Sequence, residues 1–110
     1  MTSGNEHQGT SATFRVDGEM TIYRAAELKQ SLLEALIQST DLEIDLSAVT
    51  ELDTAGVQIL IMLKAHAQAT QRKLRLAAHS PAVLDVFELL NLAAYFGDPL
   101  LISSSATRRI

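Results

Sequence analysis

Glu43-Ile44-Asp45-Leu46-Ser47-Ala48-Val49-Thr50-Glu51-Leu52-Asp53-Thr54-Ala55-Gly56-Val57-Gln58 is the stretch that decides how this chain folds. Leu42, Ile44 and Leu46 alternate with Glu43 and Asp45, so the segment reads as a strand with one buried and one polar face. A short loop follows. Asp53-Thr54-Ala55-Gly56 then opens a helix running to about Thr70, either with Thr54 as its cap or with Asp53 as N-cap and Thr54 in the first turn. That helix carries apolar residues around most of its circumference: Val57, Ile59, Leu60, Ile61, Met62 and Leu63. One side of it packs on a sheet, and the remaining apolar surface around Ala55, Met62 and Ile59 has to meet another helix or a partner.

Upstream, Ala12 to Val16 alternates as a half-buried strand, Asp17-Gly18 signals a turn, and Glu19-Met20-Thr21 suits a short returning strand of an antiparallel hairpin. A helix is expected from about Ile22 to Gln38, with Thr21 as its cap and Ala25, Leu28, Leu32, Leu33 and Leu36 on its apolar stripe. Downstream, Lys73 to Ala78 is another alternating strand. Ser80-Pro81 supplies a cap and an N1 proline for a third helix that carries Val83, Phe87 and Leu90 and ends near Asn91. Tyr95-Phe96 is expected to fold back on the core, Gly97-Asp98-Pro99 to turn, and Leu100-Leu101-Ile102 to add a last short strand. Strands joined through helices imply parallel pairing. The expected architecture is a small single α/β domain with a mixed, mostly parallel sheet of four to five strands and helices mainly on one face. Residues 12–102 form the domain, between a disordered tail over 1–11 and a flexible one over 103–110.

Composition narrows the function. The chain has 110 residues, 47% hydrophobic and 20% charged, which suits one compact globular domain. A formal net charge of −4 and the lack of a basic patch argue against general nucleic-acid or anionic-membrane binding. With no cysteine there are no disulfides, thiolate metal sites or cysteine nucleophiles. Met1 to Thr10 has neither the basic start nor the apolar run of a secretory signal, and no apolar stretch is long enough to span a bilayer, so a cytoplasmic location is expected.

Asp45, Asp53 and Thr54 fall at the carboxyl ends of strands, where ligands of open α/β sheets collect. A nucleotide-phosphate pocket is disfavoured by the absence of a glycine-rich loop and by two aspartates that repel phosphate. A metal held by Asp45 and Asp53 has too few ligands. A third role is a phospho-acceptor hydroxyl at a helix N-terminus, where backbone dipoles favour a dianion. His7, His66 and His79 show no metal-ligand spacing, and Ser80 beside His79 has a cap's role without a nucleophile-elbow sequence.

Asp45-Leu46-Ser47-Ala48-Val49 followed by Leu52-Asp53-Thr54-Ala55-Gly56-Val57 resembles the signature of the STAS domain, found in bacterial anti-sigma factor antagonists. The similarity runs from about Phe14 to Ile102, with Gly18-Glu19 before the first helix, Ser80-Pro81-Ala82-Val83 opening the third and Leu89-Leu90-Asn91-Leu92 closing it. The resemblance implies a protein-binding module without catalysis or cofactor, ATP entering only as phosphodonor through a partner serine/threonine kinase. By the same resemblance Thr54 is the phosphorylated residue, supported by Asp45, Asp53 and Gly56. Ala55, Gln58 and Met62 are the candidate partner contacts, Gln58 lying one turn after Thr54 on the same side of the helix and the Met62 stripe serving as partner surface where it is exposed. Threonine replaces the serine of many antagonists. It also occurs in STAS subunits or adaptors of larger assemblies, among them a lipid-transport ABC complex and chemotaxis systems, which gives the alternative of constitutive docking without phosphorylation.

Overall fold

The computed structural model describes residues 9–92. Its elements in chain order are β1 (Ser11–Arg15), β2 (Gly18–Met20), α1 (Ala25–Ile37), β3 (Asp41–Asp45), β4 (Val49–Leu52), α2 (Thr54–Ala69), β5 (Lys73–Ala77) and α3 (Pro81–Leu90). The expected segments at Tyr95-Phe96, Gly97-Asp98-Pro99 and Leu100 to Ile102, the C-terminal tail and most of the N-terminal one lie outside the described residues.

β3 is the middle strand of a three-stranded parallel sheet, flanked by β1 and β5. Phe14 stands opposite Ile44 and Ile44 opposite Leu76, so the apolar residues of all three strands share one face. The next row, Thr13, Glu43 and Arg75, points the other way. There the Arg75 guanidinium bridges Asp41 Oδ1 at 3.1 Å and Glu43 Oε1 at 2.9 Å. A face bearing three charged groups side by side belongs in water, which leaves the helices the other face.

The antiparallel hairpin expected at Asp17-Gly18 does not form. β2 pairs in parallel with β4 instead. The N–H groups of Val16 and Gly18 donate to the carbonyls of Asp45 and Ala48, so Ser11 to Met20 runs as one bent ribbon beside Asp41 to Leu52. Gly18 sits at φ 86°, and a positive φ serves a bend as readily as a reversal. Arg24 fixes this bend by donating to the carbonyls of Asp17 and Glu19 on either side of the glycine. The partner strand β4 lies where a loop was expected: Val49 is buried in the core while Thr50 and Glu51 face solvent.

α1 begins at Ala25, the first residue of its apolar stripe and three residues after the expected start at Ile22. Thr21 does not cap it; the Thr21 hydroxyl accepts from Tyr23 N at 3.3 Å and donates to Glu19 at 2.6 Å, organising a turn through Ile22 and Tyr23. Leu28, Leu32 and Leu36 then bury one stripe of α1, and Gly56, Leu60, Leu63 and Ala67 one stripe of α2. Both follow the spacing that keeps residues on one helical face. α3 starts where Ser80 Oγ accepts from Val83 N at 3.2 Å, with Pro81 at N1, and ends at Asn91 in the left-handed region. It packs against β4, and Val83 and Phe87 are its buried residues.

Candidate functional site

The chain leaves β4 at Leu52, is extended at Asp53 (φ −113°, ψ −173°) and turns into α2 at Thr54. An extended residue before a helix is the ordinary N-cap conformation, and the Asp53 carboxylate acts as one: Oδ1 accepts from Gly56 N at 3.1 Å. Its other oxygen reaches across to a different part of the chain. Oδ2 accepts from Ile22 N at 3.0 Å, in the turn between β2 and α1. The Asp53 N–H in turn donates to the Met20 carbonyl at 3.3 Å. One aspartate thus clasps the start of α2 to the loop that leads into α1.

These donors set the carboxylate's charge. The Ile22 N–H, foremost, and those of Gly56 and Ala55 stabilise the anion and hold the Asp53 pKa below its usual value, against an opposing pull from burial. Asp45 is also held low, first by the Ser47 hydroxyl and then by the Ser47 N–H at 2.9 Å, with the Arg15 charge assisting. A carboxylate with a depressed folded pKa contributes stability above its unfolded pKa of about 4, and that contribution is lost as pH falls through the lower folded value. Unfolding free energy is therefore expected to be level from pH 7 to about 5 and to drop below about 4. The Asp53→Asn variant should lose less on acidification than the parent in urea titrations at pH 7 and pH 3. Equal losses would remove Asp53 from the account.

Asp45 and Asp53 serve separate backbone segments, the β3–β4 turn and the start of α2, and each spends its charge on N–H donors. Among the described residues no group of three or more His, Cys, Asp or Glu is placed to hold a metal ion. His79 is a core residue whose ring meets Phe87 edge-on, with centroids 5.3 Å apart.

Thr54 is the first residue of α2 and is exposed. Asp53, not Thr54, is the N-cap of the helix. Gly56 is what lets that helix end sit against β2. A Cβ there would collide with the Met20 carbonyl oxygen and lie 2.6 Å from Leu52 Cδ1. Gly56 thus has a steric role in placing Thr54.

Ala55, Gln58 and Met62 line one groove of about 450 Å³ between α1 and α2, together with Ile59 and, from the facing helix, Ala25, Ala26 and Lys29. The three α2 residues are the candidate contacts read from the sequence, and the α1 residues facing them were not among those candidates. Lys29 and Ala26 carry no motif, and only the packing of two helices brings them opposite Ala55. Also missed was the exposed apolar pair Ile22 and Tyr23, 67% and 87% accessible, of which Ile22 donates its N–H to Asp53, the residue before Thr54. The one available signal was a pair of large apolar residues at the very start of a polar-capped segment.

Among the described residues no helix is long and apolar enough to cross a membrane. A family model described as Mlab, STAS domain matches residues 3–102. Among solved structures, an anti-sigma factor antagonist from Mycobacterium paratuberculosis superposes with a TM-score of 0.71 at 25% identity, covering 87% of this chain and 82% of that one. The anti-sigma factor antagonist SpoIIAA in its unphosphorylated form superposes at 0.65 with 19% identity, over 92% of this chain and 90% of its own, a likeness of fold. No curated protein matches the sequence significantly. The family model spans nearly the whole chain, and the chain therefore belongs to the STAS domain family of regulatory, non-catalytic domains.

Proposed function

We propose that this chain is an anti-sigma factor antagonist-like switch, which binds a partner serine/threonine kinase when Thr54 is free and releases it when Thr54 is phosphorylated. The observation that carries this reading is the exposed Thr54 at the head of α2, a helix whose N-cap is Asp53. A phosphate there adds between one and two negative charges where helix dipoles tolerate them, so the fold survives while the surface changes sign. Buried in a partner interface, that charge meets desolvation and like-charge repulsion.

Incubation of the purified protein with an anti-sigma factor kinase from the same genome and ATP is expected to add one phosphate, detected as a single mass increment. Thr54→Ala should take none, and Thr54→Glu should bind the kinase at least tenfold more weakly, a difference of about 1.4 kcal/mol. A kinase that binds stably under these conditions and transfers no phosphate would overturn the switch.

The β-branched threonine itself favours a second reading, since its methyl restricts the rotamer that a phospho-acceptor has to present. In this alternative the domain is a constitutive STAS subunit of a larger assembly, such as a lipid-transport ABC complex or a chemotaxis signalling system. Thr54 is then a contact residue only, and Thr54→Glu weakens assembly although no phosphothreonine is recovered from cells.

A further inference from the structure

We propose that the groove between α1 and α2 receives a helix of the partner that presents a carboxylate beside an aliphatic side chain, the carboxylate pairing with Lys29. This rests on the protein-binding role proposed above and names the chemistry that the surface takes.

The floor and walls of the groove are short or apolar: Ala25 and Ala26 on one side, Ala55 and Met62 on the other, with Ile59 beneath. Alanines on both walls let a third helix approach closely, since interaxial distance depends on the side chains at the contact. A strand has no comparable purchase, because two helices line the groove and no free sheet edge does. Its polar lining residues are Lys29 and Gln58, so its one formal charge is positive. Lys29 is exposed and makes no salt bridge among the described residues. A partner covering this groove without an anion would strip water from an ammonium and give nothing in return. The whole chain carries a formal net charge of −4, so long-range attraction does not draw in an acidic partner, and recognition has to come from this local pairing.

The same arrangement supplies a reason for release. Ala55 lines the groove and Thr54 precedes it in the chain. A phosphate on Thr54 would put negative charge at the groove's end and repel the carboxylate that Lys29 attracts.

The test measures binding of the purified kinase of the preceding experiment, without ATP, to the full-length protein by calorimetry. Lys29→Glu and Ala26→Trp change exposed positions, and both variants are first shown to keep the parent's thermal midpoint. Each is expected to weaken binding about tenfold or more. The Lys29→Glu loss should be largest at low salt and should be recovered by replacing one acidic residue of the partner with lysine. Parental affinity in both variants would overturn the groove while leaving the switch intact. Failure of the wild-type chain to bind would overturn both. Sedimentation of the protein alone supplies the control: a dimer broken by Ala26→Trp would mean that a second copy occupies the groove, and would overturn the partner helix.

Discussion

Gly56→Ala is expected to lower the thermal midpoint by about 10 °C, corresponding to roughly 2–3 kcal/mol for a domain of this size. Helix propensity alone forecasts the opposite, because alanine stabilises a helix interior over glycine by about 1 kcal/mol. Sterics decide the sign. The new methyl would meet the Met20 carbonyl oxygen and Leu52 Cδ1, with Met20 Cβ at 3.0 Å. Leu52 can turn aside, but the Met20 carbonyl belongs to the backbone of a paired strand and also accepts from Asp53 N. Trimming Leu52 to alanine in the same chain should therefore fail to restore stability. Since the methyl pries the head of α2 from β2, Thr54 is displaced too, and under the proposed switch phosphate uptake should fall even at temperatures where the variant stays folded. A midpoint raised above the parent's would refute the packing account.

Phe87→Ala should cost about 3–5 kcal/mol in urea unfolding, the usual range for emptying a buried aromatic site. Phe87 is 1% accessible and is among the largest fully buried side chains. It joins α3 to the core and meets the His79 ring edge-on, so its removal leaves a cavity and one aromatic contact fewer. Against a total stability of about 5–15 kcal/mol, such a loss brings a sizeable unfolded population within reach at 37 °C. Leu89, two residues on and 82% accessible, is the control: Leu89→Ser should change stability by no more than about 0.5 kcal/mol. Comparable losses at both positions would mean that α3 is buried on both sides.

The segments that were legible in the sequence are those whose pattern has a single structural meaning. Leu42 and Ile44 could only be one face of a strand, and Leu28, Leu32 and Leu36 one face of a helix. Ser80-Pro81 marked a helix start, and Asn91 its left-handed end. Asp17-Gly18 was ambiguous, because a positive φ at glycine permits either a reversal or a bend, and what selected the bend was Arg24 reaching two carbonyls from another element. Val49 to Leu52 escaped notice for a related reason. Four residues with alternation at one end only do not announce a strand until β2 lies beside them. At the site, the cap role of Asp53 was readable and its second bond to Ile22 was not, since nothing local records a partner so far along the chain. The α1 wall of the groove was hidden in the same way.

Every strand pair among the described residues is parallel, and this bears on how the chain reaches its native state. Paired residues such as Phe14 and Ile44, or Ile44 and Leu76, are about thirty positions apart, so each pairing closes a long loop before any ladder bond repays it. With no hairpin among the described residues, none of these pairings is local. Helical turns can flicker early, but the sheet has to assemble in a step that gathers distant segments, and folding should be slower than in a helical bundle of equal length. During synthesis β1 and β2 would leave the ribosome before β3 and β4, the strands they pair with. Their exposed edges wait through the making of α1 until Asp41 to Leu52 arrives, which makes that interval the one in which a nascent chain has most to gain from a chaperone.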